Sequence, residues 1–267
     1  MRNIRLLLEY DGTAYAGWQK QPASPTVQET LERALQRLTG SRTVVHGSGR
    51  TDAGVHALGQ VAAFRTESSI PAERFAAALN SVLPRDIVAL ASAEADPGFH
   101  PRFSAKSKTY VYAIRTSPCR PAMLGRYFWH CPAALDADAM RDAARLFAGT
   151  RDFRGFSCSG GRPRTTVRTV RRAEVERVGS SVLFAVEADG FLYKMVRSMA
   201  GTLVMVGMGK AGPGRVEEVF SAGRRERAGP SLPGCGLTLA AVAYDGYCTP
   251  LHGKPVRALA PFASDFY

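Results

Sequence analysis

The sequence predicts an α+β protein made of two halves that share one order of elements, β-α-β-β-α-β. Three observations predict it. Runs such as residues 4–10 and 182–188 are continuously apolar or alternate with period two, as strands do. Stretches such as 26–38 and 192–206 place apolar residues three and four apart, as helices do. The order in which these runs follow one another repeats from Thr109 onward, without a residue-level repeat.

In the first half, residues 4–10 read as a buried strand ended by the turn Asp11-Gly12-Thr13. A helix follows from about Pro25. Thr26 and Glu29 have capping-box spacing, and Val27, Leu31, Ala34, Leu35 and Leu38 share a face. Residues 43–46 make a short strand, 58–65 another, 71–83 a helix with Phe75, Leu79 and Val82 on one face, and 87–93 a strand. In the second half, 109–116 alternates as a strand, and 136–147 is a helix burying Met140, Ala143, Ala144 and Phe147. Residues 166–177 and 182–188 form an antiparallel pair turning at Gly179. Residues 192–206 carry one apolar stripe, Leu192, Met195, Val196, Met199, Leu203 and Val206, and 237–244 closes as a strand.

Ferredoxin-like and RNA-recognition folds have this element order. The expected division is 1–105, 106–245 and an irregular tail, 246–267, marked by Pro250, Pro255 and Pro261. Mainly antiparallel sheets lying side by side would leave a central cleft for RNA.

A chain of 267 residues with 45% hydrophobic side chains is long enough to bury a sizeable core. Lys and Arg number 35 against 23 Asp and Glu, and the resulting net charge of +12 favours a polyanionic partner. Arg outnumbers Lys 29 to 6, a choice that GC-rich codons explain, although the excess over acids is not explained that way. The five cysteines are odd in number and never spaced CxxC, which argues against a disulfide framework or structural zinc and for a reducing, cytoplasmic location. The apolar run Leu6-Leu7-Leu8 is too short for a signal peptide, and no stretch is expected to span a membrane.

The densest chemistry lies in His46-Gly47-Ser48-Gly49-Arg50-Thr51-Asp52-Ala53-Gly54-Val55-His56. Its three glycines permit positive φ and close approach of a ligand. In an extended stretch Arg50 and Asp52 share a face while Thr51 points away. A single ionised Asp beside a guanidinium suits a nucleophile or base better than an acid. The plainer alternative is a turn capped by Asp52 beside a solvated Arg50. The segment is not a dinucleotide fingerprint, because Asp52 stands where a Gly is needed. The five histidines lack metal-ligand spacing, so no metal site is predicted.

Three further groups invite either a structural or a binding role. Lys194, Arg197, Ser198 and Gly201 form a second stripe on the 192–206 helix, where small residues beside an arginine admit another backbone or a ligand. Arg162, Arg164, Arg168, Arg171 and Arg172 make a ladder suited to phosphate contact or to guarding a sheet edge. Tyr110 and Tyr112 share a strand face and either stack on a base or pack in the core.

The stretch 47–57 resembles the signature of TruA-type tRNA pseudouridine synthases. Further likenesses follow in order: Tyr10-Asp11-Gly12-Thr13, Gly17-Trp18-Gln19, Thr26-Val27-Gln28, Ala78-Leu79-Asn80, Leu83-Pro84, Phe99-His100, Arg102-Phe103 and Tyr110. Asp152-Phe153, the run from Phe191 to Arg197, and Gly236-Leu237-Thr238-Leu239 extend it over about residues 4–245. Pro25, Pro101 and Leu232-Pro233-Gly234-Cys235 depart from the family pattern.

The resemblance implies an isomerase that converts uridine to pseudouridine at positions 38, 39 and 40 of the tRNA anticodon stem-loop. It implies no metal or organic cofactor, and a homodimer holding tRNA across both subunits. Asp52 matches the catalytic nucleophile, and Tyr110 the tyrosine that packs on the target base. Arg197 matches the basic partner of the aspartate, and Arg50 an arginine associated with flipping the base. Attack at C1′, addition at C6 and removal of the C2′ proton all remain open for Asp52. Two other readings of the residues are a non-catalytic RNA-binding module and an enzyme that cleaves small nucleosides.

Overall fold

The periodic runs fold as strands and helices in a computed structural model that describes residues 1–160 and 163–259. The fold is α+β, with eleven strands and five α-helices among the described residues. The chain divides into two compact units, residues 1–106 with 239–252, and residues 107–238 with the chain from 253 on. The halves expected at 1–105 and 106–245 therefore differ from these units at one element. The strand expected to close the second half, β10 (Leu237–Tyr244), lies beside a strand of the first.

The first unit is built on β1 (Arg2–Tyr10), which pairs antiparallel with β3 (His56–Thr66) on one side and β4 (Ile87–Ala95) on the other. The strand order is β4-β1-β3-β10, with the two-residue β2 (His46–Gly47) also on β3. Helix α1 (Val27–Thr39) starts where Thr26 accepts the Glu29 N–H, and it buries Val27, Leu31, Ala34 and Leu35. Helix α2 (Phe75–Asn80) packs Phe75 edge-on against Phe64 of β3, 5.2 Å between centroids.

Two expected elements are shorter than the periodicity predicts. The 71–83 helix is a 3-10 turn, Ala72–Arg74, followed by α2. Asn80 stops it by bonding both backbone groups of Ala89, at 2.8 and 2.9 Å, and Pro84 disfavours helical geometry at Leu83. The 43–46 strand shrinks because side chains replace its ladder. Thr43 donates its hydroxyl to the Arg65 carbonyl (2.9 Å), and Glu32 accepts the Val45 N–H (3.2 Å).

In the second unit, β5 (Ser107–Thr116) pairs antiparallel with β9 (Ser181–Ala188), then come β8 (Val167–Val178) and β7 (Gly149–Asp152). The hairpin turns at Gly179, φ 53°, as expected. A short β6 (Trp129–Cys131) runs parallel to β5. Helix α3 (Ala137–Arg145) is capped by Asp136, which accepts the N–H groups of Asp138 and Ala139 at 3.0 Å. Helix α4 (Met195–Gly207) starts three residues later than its apolar stripe, because Lys194 stands in the left-handed region at φ 56°. Beneath α3 and α4, Phe147, Phe153, Phe156 and Phe184 are fully buried, and Phe220 of α5 (Arg215–Ala222) meets the first three.

The tail is not irregular from residue 246 on. β11 (Tyr247–Cys248) pairs with β10, and a 3-10 turn, Val256–Leu259, buries Val256 and Leu259. Arg172 donates to the Lys254 carbonyl (2.9 Å) and Arg257 pairs with Glu176 (2.8 Å), so this segment is tied to β8. The rest of the expected tail, 260–267, lies outside the described residues.

Candidate active site

The glycine-rich segment is held from three sides within the first unit. Gln60 of β3 is fully buried. It accepts from the Ser48 hydroxyl (2.6 Å) and backbone N–H (3.2 Å), and donates to the Gly49 carbonyl (3.1 Å) and the Tyr10 oxygen (3.4 Å). The Tyr10 and Thr51 hydroxyls bond to each other at 2.8 Å. Burial pushes the Tyr10 phenol up to about 12, against the opposing pull of its bonds to Thr51 and Gln60, so it stays protonated. The Thr51 carbonyl accepts the Trp18 N–H (3.0 Å), and the Tyr15 carbonyl accepts the Gly54 N–H (3.3 Å). At the far end His56 Nδ1 accepts the Gly12 N–H (3.0 Å) and lies 3.2 Å from an Asp11 carboxylate oxygen.

The glycines serve a different purpose from the one their spacing suggests. Of the three in the segment only Gly54 takes positive φ, at 72°. Gly47 instead makes room for the Trp18 ring, which a Cβ would approach to 2.6 Å. Gly12 and Gly17, outside the segment, let the opening loop lie on it. Cβ atoms there would fall 2.0 Å from the Val55 carbonyl oxygen and 2.5 Å from that of Thr51.

Along this segment the side chains alternate as an extended strand requires. Thr51 is turned inward and buried, Arg50 is exposed, and Asp52 is half-buried. The Asp52 carbonyl accepts the Val55 N–H at 3.2 Å, which closes the turn behind it. Asp52 thus stands on a backbone pinned at its neighbour Thr51 by both carbonyl and hydroxyl.

Tyr110, Tyr112 and Arg197 belong to the second unit. Tyr110, on β5 opposite Val186, is 7% exposed, and Phe191 meets it edge-on at 5.1 Å. Tyr112 is fully buried and donates to the Pro233 carbonyl (2.8 Å). The expectation of a shared face holds for the pair, and Tyr112 takes the core role.

The second stripe of α4 meets a backbone. Residues 228–232 lie over it. A Cβ on Gly201 would fall 1.9 Å from the Pro230 carbonyl oxygen, and one on Gly229 would fall 2.3 Å from Gly201. Thr202 accepts the Gly229 N–H at 2.8 Å. Arg197 and Leu232 exchange two bonds, Nε to the Leu232 carbonyl (2.5 Å) and the Leu232 N–H to the Arg197 carbonyl (3.2 Å). This covering strap commits Arg197 Nε and so fixes the plane of its guanidinium.

Against known proteins, the sequence matches the tRNA pseudouridine synthase family over residues 7–104 and 143–245. It is 45% identical over 244 residues to tRNA pseudouridine synthase A 2 of Clostridium perfringens, covering 91% of this chain and 100% of that one. The chain belongs to the tRNA pseudouridine synthase family. It is 47% identical to tRNA pseudouridine synthase A of Acetivibrio thermocellus and 46% identical to that of Geobacter sulfurreducens, with the same coverage.

In this member of the tRNA pseudouridine synthase family, the basic ladder is only partly available to a ligand. Arg172 is spent on Glu174 (2.6 Å), and Arg168 on the carbonyls of Thr165 and Val167. Arg164 and Arg171 are exposed, and Arg162 lies outside the described residues. Among the described residues no group of three His, Cys, Asp or Glu is placed to hold a metal ion, and no helix is long and apolar enough to cross a membrane. Sequence reasoning missed Gln60 and Thr202 as supporting residues. Each is an unremarkable polar residue in an apolar run, and that mismatch is the signal that could have found them.

Proposed function

We propose that the chain isomerises uridine to pseudouridine at positions 38, 39 and 40 of the tRNA anticodon stem-loop, with Asp52 as the nucleophile. The observation that carries this reading is the placement of Asp52. It is half-buried, next to exposed Arg50, on a segment tied down by Tyr10, Gln60 and the backbone of Trp18. Such rigidity keeps a nucleophile in near-attack geometry.

The reaction breaks the N1–C1′ bond, turns the uracil, forms C5–C1′, and exchanges the C5 proton for one on N1. No atom is lost from substrate to product apart from that exchange, so the enzyme is an isomerase and needs no second carboxylate to release a leaving group. The target base must leave its stack first, at a cost of a few kcal/mol. Arg50 assists that step, Tyr110 packs against the extruded base, and Arg197 supplies positive charge to Asp52. The reading includes a cytoplasmic homodimer and no cofactor.

The test is release of tritium from C5 of uridines in an unmodified tRNA transcript, with Asp52→Asn and Asp52→Ala beside wild type. Wild-type release with none from the variants, at unchanged tRNA affinity, is the expected result. Tight binding without release would favour an RNA-binding module. Free uracil in the supernatant would favour a nucleoside-cleaving enzyme. Turnover in either variant removes the role given to Asp52.

A further inference from the structure

Phe103 is 77% exposed, and among the described residues no other Phe or Trp side chain is exposed. It is the outer ring of a three-ring stack. His100 lies 4.4 Å from it between centroids, at 33°, and His46 lies 5.2 Å from His100, at 43°. The turn that presents it is rigidly built. His100 Nδ1 accepts the N–H groups of Arg102 (3.1 Å) and Phe103 (3.4 Å), and His100 and Ser104 exchange two more bonds, at 2.9 and 3.1 Å.

From below, Tyr244 donates to the Pro101 carbonyl (2.8 Å) and Asn3 to those of Asp96 (2.9 Å) and Phe99 (3.0 Å). The ring is therefore exposed on a turn whose backbone is held by hydrogen bonds from within and from below. Burial and the neighbouring His46 hold the His100 imidazole below its usual range, which keeps Nδ1 available to the turn.

We propose that the His46–His100–Phe103 stack is a platform for an unpaired base of the RNA substrate, with Arg102 taking an adjacent phosphate. This rests on the reading of tRNA as substrate. The Arg102 guanidinium stands 5.7 Å from the Phe103 centroid and is exposed, which is the pairing of ring and cation that single-stranded nucleic acid selects. Exposed Arg65, whose guanidinium donates to the Pro97 carbonyl (3.3 Å), adds a second cation beside the same segment.

The platform joins the site through the chain itself. His46 immediately precedes the pinned segment, and five residues separate it from Asp52, a span of at most about 22 Å. With the ring spacings of 5.2 and 4.4 Å added, the outer face lies within about 35 Å of Asp52, so the base it takes belongs to the same substrate molecule. A protein partner fits less well. One exposed ring contributes at most about 200 Å², against the roughly 800 Å² per side of a stable interface.

The experiment measures affinity for an unmodified tRNA transcript, and for its isolated anticodon stem-loop, at several salt concentrations. KM and kcat for tritium release are read in parallel. Phe103→Ala should weaken binding and raise KM about 5- to 150-fold, since stacking contributes ~1–3 kcal/mol per base. It should leave kcat, melting temperature and the salt slope unchanged. Phe103→Trp should retain affinity, and Phe103→Leu should behave like the alanine variant. Arg102→Ala should lower the salt slope by about 1.

Affinity within twofold of wild type for Phe103→Ala, or full rescue by leucine, would overturn the platform. So would sedimentation showing that Phe103→Ala separates two copies of the chain while each copy keeps its affinity. Wild-type protein that releases no tritium while Phe103→Ala still loses tRNA affinity would strike the reaction and leave the platform standing.

Discussion

Adding one methyl group at Gly201 tests whether the strap sets Arg197. An alanine Cβ there would fall 1.9 Å from the Pro230 carbonyl oxygen, where side-chain carbons essentially never approach closer than 3.0 Å. The helix backbone is held by its own ladder, so the strap must retreat by at least about 1.1 Å. The Gly229–Thr202 bond of 2.8 Å would then exceed hydrogen-bonding range, and the two bonds between Arg197 and Leu232 would stretch with it. Losing one or two bonds costs about 1 kcal/mol each, and the overpacking costs about 1–3 kcal/mol. Against this, replacing a helical Gly returns about 1 kcal/mol. The net loss is about 1–4 kcal/mol, and each kcal/mol should lower the melting temperature by about 2–4 °C. A displacement of about 1 Å in a positioning group can cost about 100-fold in rate, so single-turnover tritium release should fall by that order while tRNA affinity holds. A variant that melts lower yet turns over at the wild-type rate would refute the positioning of Arg197 by the strap. Equal losses in rate and affinity would refute it as well.

Three other outcomes follow from the same geometry. Gln60→Leu removes the acceptor of Ser48 and the donor to Gly49, so chemical denaturation should show a loss of about 1–3 kcal/mol, and kcat should fall more than affinity. Tyr112→Phe keeps its ring but leaves the Pro233 carbonyl without its donor. It should cost about 1–3 kcal/mol by thermal melting with tRNA affinity unchanged. Asp152 is lowered from 3.8 to about 2, chiefly by its bond to the Arg154 guanidinium (2.7 Å). Its contribution is present above its unfolded value and is lost as pH falls from about 4 toward 2, so Asp152→Asn should narrow the stability difference between neutral pH and pH 3.

Much of the fold is legible because its signals are local. The Thr26 cap and the Val27, Leu31, Ala34, Leu35 face specify α1 from thirteen neighbouring residues. The continuous apolar run of 182–188 and the turn at Gly179 specify the β8–β9 hairpin in the same way. Elements whose signals are not local were missed. β6 and β7 are three and four residues long, too short to display a period, and exist because β5 and β8 offer them a ladder. The position of β10 beside β3 follows from long-range pairing, which no spacing along the chain encodes.

The candidate site divides along the same line. Residue order alone implied that, in an extended stretch, Arg50 and Asp52 face one way and Thr51 the other, because that period is a property of the backbone. The net charge of +12 determined that an anionic partner is favoured, because charge sums without reference to fold. Only the tertiary structure decided that Tyr10 and Gln60, fifty residues apart, meet at the segment carrying Asp52. Only it decided that the polar face of α4 lies under residues 228–232 rather than in water. Those contacts depend on which backbones approach within bonding distance once each unit has folded. Sequence spacing cannot report that, since a hydrogen bond reads distance in space and not separation along the chain.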